Sequence, residues 1–252
     1  MWFYTDFVFT HRFDQNPNPK VVLHWFMLSF NGGCINSGGF LATGKFVSHV
    51  TGFATLFGVD AMTDQTKAAI SMLTVPGFFL LGAFIAGILI DRQIERGRPP
   101  RFDFVMSLST LCLCAAASGG LHSQFGEFGE IFRLKHAFIL LALLCLASGL
   151  QNAAITSSSL RSVRTTHLTG VTTDLGLGLA KLLTFDLSKQ SFKNEVRANQ
   201  LRLGSIMFFV LGSAAGAYIF IKLGYTGFYI PASIAAYAAW HGHKVRRAYG
   251  VR

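Results

Sequence analysis

The chain has 252 residues, 51% of them hydrophobic and 13% charged, with a mean hydropathy of +0.44. This is too apolar and too poor in charge for a soluble globular domain, so the chain belongs in a lipid bilayer. The net charge of +10 is read as the basic bias of cytoplasmic loops, with no nucleic acid as partner, and the four cysteines (Cys34, Cys112, Cys114, Cys145) all lie in apolar stretches, which excludes a disulfide scaffold.

Residues 1–20 open with an aromatic run from Trp2 to Phe9 that lacks the basic start and small-residue cleavage site of a signal peptide, and they are read as an interfacial segment ended by Asn16-Pro17-Asn18-Pro19. Six stretches then approach the roughly 20 residues a membrane-crossing helix needs. They run over about 21–43, 71–90, 103–121, 136–158, 203–222 and 226–241. Two shorter stretches rich in Thr and Gly, Phe46 to Val59 and Leu168 to Ala180, would reach only about 20 Å as helices. If neither crosses and the N-terminus is inside, 17 of the 22 Lys and Arg residues fall on the cytoplasmic face, leaving Lys45, Lys67, Arg133, Lys135 and Lys222 on the other. If both cross, the split is 14 to 8, so charge placement favours six crossings. Both termini, including a basic tail at 242–252, are then cytoplasmic.

An internal repeat organises these stretches. Ser48-His49-Val50-Thr51-Gly52-Phe53-Ala54-Thr55 matches Thr166-His167-Leu168-Thr169-Gly170-Val171-Thr172-Thr173 at an offset of 118 residues, and Gly33-Cys34-Ile35-Asn36 matches Gly149-Leu150-Gln151-Asn152 at 116. Leu81-Gly82 with Ala86 answers Leu211-Gly212 with Gly216, a small-xxx-small helix contact in each half. The expected fold is therefore all-α and polytopic: six transmembrane helices as a 3+3 inverted repeat, residues 21–121 and 136–241, with two short re-entrant or half-spanning segments. Asn31-Gly32-Gly33 and Ser148-Gly149 predict that the first helix of each half is interrupted.

The run from Gly33 and Asn36 to Phe40, then Phe46 to Gly52, Gln151 to Ala154, and Leu168 to Leu175, resembles the YoaK-like family of uncharacterised integral membrane proteins over roughly residues 20 to 242. The resemblance implies an integral membrane protein, in a bacterial inner membrane, with a transport-related role. It implies no substrate and no catalytic residue. Many members carry an acidic residue where this chain has Asn36.

The residues themselves point to a polar site between the halves: Asn36, His49, Thr51, Gly52, Gln151, Asn152, His167, Thr169, Gly170 and Thr173. Imidazole can relay a proton or bind an anion, hydroxyls and amides can hold a polar solute, and glycine lets backbone approach. Each has a plainer reading, as helix cap or interhelix glue. Asp174, alone in an uncharged run from Leu168 to Ala180, is the candidate proton-coupling residue, or else a partner for Arg161 or Arg164. His241-x-His243 beside Lys244, Arg246 and Arg247 reads as a basic membrane-surface tail, not a metal pair. No nucleophile, nucleotide-loop or zinc-protease motif is present, so the chain is expected to be neither an enzyme nor a cofactor protein. The reading is a secondary transporter of a small polar or anionic solute, with proton coupling as an option. The alternatives are a passive channel, a structural subunit of a membrane complex, and, more remotely, an enzyme acting on a lipid or quinone. A homo-oligomer is compatible with all of them.

Overall fold

The computed structural model describes residues 18–63, 66–129, 134–159, 167–184 and 190–250. Most of the 1–20 segment, Arg161 and Arg164 lie outside the described residues. All regular structure among them is helical: α1 (Pro19–Thr43), α2 (Val50–Met62), α3 (Thr66–Leu89), α4 (Asp91–Glu95), α5 (Phe102–Leu121), α6 (Leu134–Ser158), α7 (Leu168–Thr184), α8 (Gln190–Leu223), a 3-10 turn (Gly224–Phe228) and α9 (Tyr229–Gly250). Four stretches among the described residues are long and apolar enough to cross a membrane: Pro76–Glu95, Phe102–Leu121, Phe138–Ser158 and Gln190–Arg247, the last holding both α8 and α9. The protein is accordingly a multi-pass membrane protein.

Local signals set the ends of α1. The Asn18 side chain accepts from the Lys20 N–H at 3.0 Å, Pro19 fills a first-turn position that needs no donor, and Gly44 closes the helix at φ 71° with its N–H on the Phe40 carbonyl. The predicted interruption is not there. Both α1 and α6 are continuous helices of 25 residues, because their glycines permit close helix contact and do not break the backbone. A Cβ on Gly33 would collide with backbone of Phe209 and Ser213 in α8, one on Gly212 with Phe30, one on Gly149 with Phe79 in α3, and one on Gly82 with Leu146 and Leu150.

The helices therefore pack across the halves: α1 chiefly on α8, and α6 chiefly on α3. The short helices stay local, α2 against α3 and α7 against α8. Helices α1 and α6 are antiparallel, since His24 and Leu28 meet Ser158 and Ala154 around one cavity while Gly39, near the far end of α1, faces Leu144. Helices α5 and α9 are antiparallel too, with Asp103 beside Arg246 at one end and the Ser118 hydroxyl 2.8 Å from the Tyr229 hydroxyl toward the other. Consequently the first residues of α1 and α5 and the last turns of α6 and α9 share one end of the bundle. The opposite end is closed by packed aromatic rings, Phe220 tilted against Phe228 at 4.6 Å and Phe128 edge-to-face with Tyr225 at 5.1 Å.

With Trp25, Cys34 and Ile35 at 2% exposure or less, α1 is the central helix. Its polar residues keep it off the set of four strongly apolar stretches, yet they face protein, where partners are available.

Candidate functional site

Where α1 crosses α6, the Asn31 amide donates to the Gln151 side-chain oxygen at 2.8 Å, and the Gln151 amide donates to the Leu28 carbonyl at 3.0 Å. Both side chains are sealed in, at 0% and 1% exposure. The Asn31 Oδ1 is buried and has no hydrogen-bond partner among the described residues. A carboxamide oxygen in that state carries an uncompensated desolvation cost of roughly 1–3 kcal/mol.

Asn36 lies further along α1 and accepts from the Ser48 hydroxyl at 3.1 Å. This bond folds the chain after Gly44 back along α1, assisted by the Cys145 thiol, which donates to the Val47 carbonyl at 3.0 Å, and by Phe46 stacked on Phe40 at 4.5 Å. So α2 starts beside the body of α1 and not beyond its end. Asn152 is half-buried next to Gln151, and its carbonyl accepts from Thr156 at 2.7 Å.

The repeated His-x-Thr-Gly stretches adopt one local structure twice. His49 and His167 each precede a helix, and their carbonyls accept the first helical N–H groups. Each ring folds over the glycine three residues on, so that a Cβ at Gly52 would lie 2.7 Å from the His49 Nδ1 and one at Gly170 2.6 Å from the His167 Nδ1. Thr55 donates back to the Thr51 carbonyl at 3.1 Å, and Thr173 to the Thr169 carbonyl at 2.9 Å. These two hydroxyl protons are spent on the helix itself, leaving lone pairs for a ligand. His49, Gly52 and Thr55 line an open groove of about 500 Å³ with Lys45, Phe46 and Leu56.

The structure thus joins Gln151 to Asn31, Asn36 to Ser48, and each histidine to its glycine. It does not draw the two short stretches into one cavity, since they lie on α2 and α7 and pack against different helices. His167, just before α7, and Thr169, Thr173 and Asp174 on it are all exposed, and the buried line of α7 runs through Val171 and Gly178. Gly178 nests against Asn199, Arg202 and Glu195 of α8, where Arg202 donates to Glu195 at 2.8 Å and to Asn199 at 2.6 Å.

Two groups escaped the sequence reading. Asn31 was hidden in an apparent helix breaker. The other is Asp103, 8% exposed, which receives Arg246 at 2.9 Å (Nε) and 2.7 Å (Nη2) and has the His243 Nδ1 at 3.4 Å. The His241 ring turns the other way, 5.4 Å from that of His24, so the two tail histidines diverge.

A family model described as a protein of unknown function, DUF1275, matches residues 24–240. The chain belongs to the DUF1275 family. The match runs from within α1 to within α9 and takes in the Asn31–Gln151 crossing and both His-x-Thr-Gly stretches. No curated protein and no solved structure matches the chain.

Proposed function

We propose that this DUF1275 protein is a secondary transporter of a small polar or anionic solute, built from two inverted three-helix halves. The observation that carries the reading is the sealed Asn31–Gln151 pair at the antiparallel crossing of α1 and α6, with one oxygen lacking a partner among the described residues. Interhelix glue alone would be satisfied on both sides. A buried amide with spare capacity suits a site that opens to a solute and closes again.

The packing supports the inverted architecture. Gly33 and Gly149 are counterparts in the repeat, as are Gly82 in α3 and Gly212 in α8, and Gly33 and Gly149 each touch backbone next to the other half's member of that second pair. Antiparallel α1 and α6 need an odd number of crossings between their starts. With α1, α3 and α5 crossing and α2 not, the count is three; with α2 crossing, it is four and the helices would be parallel. The same parity holds for α5 and α9. The end that gathers Arg98, Arg101, Lys244 and Arg246 is then the cytoplasmic one. The YoaK-like resemblance covers nearly the same residues as the family match and supports the transport reading. Proton coupling falls to Asp174, the exposed carboxylate of α7.

Reconstitution into vesicles with a panel of solutes, with and without a proton gradient, tests this. Wild-type protein should accumulate at least one solute, while Asn31→Ala and Gln151→Ala should lose about tenfold or more of that uptake at normal folded yield. Asp174→Asn should keep solute exchange and lose gradient-driven accumulation. Undiminished uptake in Asn31→Ala would remove the reading's basis.

A further inference from the structure

We infer that the groove between the start of α1 and the N-terminal extension of α8 is a binding site for an anionic phospholipid. The groove encloses about 610 Å³ and takes its walls from Val22, Leu23 and Phe26 of α1 and Arg197, Gln200 and Leu201 of α8. Its two ends differ in chemistry. Phe26 packs over Gly204 and stacks on Phe208 at 5.0 Å, at the point where α8 changes from the polar stretch Gln190–Arg202 to an apolar one. The Phe26 end therefore faces hydrocarbon, and the Arg197 end faces the headgroup layer.

Charge on α8 is divided between two faces. Glu195, the only carboxylate between Gln190 and Leu223, is held on the α7 face by Arg202 at 2.8 Å and Lys181 at 3.8 Å. Arg197, Gln200 and Leu201 occupy the other face, and the facing turns of α1 carry no acidic residue. Among the described residues Arg197 has no ion pair, although it is half-buried. An amphiphile with one anionic end and an acyl chain matches this layout: its phosphate meets the Arg197 guanidinium and the Gln200 amide, and its chain lies along Leu23, which is 62% exposed, and Phe26. A zwitterionic lipid offers the same chain without net charge, and free phosphate offers the charge without the chain.

The test uses the full chain in detergent, titrated with phosphatidylglycerol, phosphatidylcholine or inorganic phosphate while the thermal unfolding midpoint is followed. Phosphatidylglycerol should raise the midpoint in a saturable way, and the other two should not. Arg197→Gln should weaken the apparent affinity by about fivefold with the lipid-free midpoint unchanged, whereas Lys222→Gln, an equal charge loss elsewhere, should leave the affinity as in wild type. Equal shifts from both phospholipids, or an unaltered titration in Arg197→Gln, would overturn the site. A chain lacking residues 1–17 should titrate as the whole chain does; a lower lipid-free midpoint together with tighter lipid binding would give the groove to that segment instead.

Discussion

Glycine in this chain does three separate jobs, and alanine substitution distinguishes them. Gly149 and Gly212 admit neighbouring backbone, which cannot retreat, so Gly149→Ala and Gly212→Ala should each lower the unfolding free energy by about 1–3 kcal/mol. Gly77 and Gly87 have open space where a methyl group would point, and alanine there should gain up to about 1 kcal/mol of helix propensity. Gly52 and Gly170 lie under a histidine ring that can swing aside, so alanine should leave stability within about 1 kcal/mol while displacing the ring. Denaturant titration in detergent, with the histidine ring signals followed by NMR, checks all three groups. Equal effects at Gly77 and Gly149 would contradict the packing described. The repeat was legible because these glycines recur at matching places; that they bring helices together and do not interrupt them was not, since a break and a close contact demand the same small residue.

At the level of helices, most of the sequence reading corresponds to observed elements: the stretch at 71–90 is the later part of α3, that at 203–222 is the apolar part of α8, and Phe46 to Val59 largely coincides with α2. What the sequence could not supply is which helix touches which. Asn31 illustrates the point, for it stands beside Gly32-Gly33 and resembles a turn until Gln151, 120 residues away, comes within 2.8 Å. The antiparallel pairing then bears on topology. In a cysteine-free background, single cysteines at Arg98 and Lys244 should react with an impermeant thiol reagent from one face, and those at Lys45 and Lys222 from the other. Reaction of the Arg98 and Lys45 positions from the same face would return α2 to a full crossing and overturn the proposed inverted repeat.

Across the whole molecule, α5 and α9 meet at the end of the bundle where α1 begins, through a contact that charge counting alone misassigns to a surface tail. Arg246 belongs to a basic run, but its guanidinium lies on Asp103 at the first turn of α5, where Gly242 allows α9 to come close: a Cβ there would sit 3.2 Å from the Asp103 nitrogen. The Asp103 side chain is 11% exposed and the Arg246 side chain 33%, so the pair is shielded more than a surface bridge and less than a fully buried one. Arg246→Gln should therefore cost about 1–3 kcal/mol, above the exposed-pair range and below that for breaking a sealed one. Lys244, on the same turn but placed over the Trp240 ring at 3.7 Å, has no part in the contact, and Lys244→Gln should cost less than about 1 kcal/mol. Because Asp103→Asn removes the same interaction from the other side, the double variant should lose clearly less than the sum of the two single losses. Strict additivity in chemical unfolding would mean that α5 and α9 are held by their apolar surfaces alone and that Asp103 and Arg246 are neighbours without being partners.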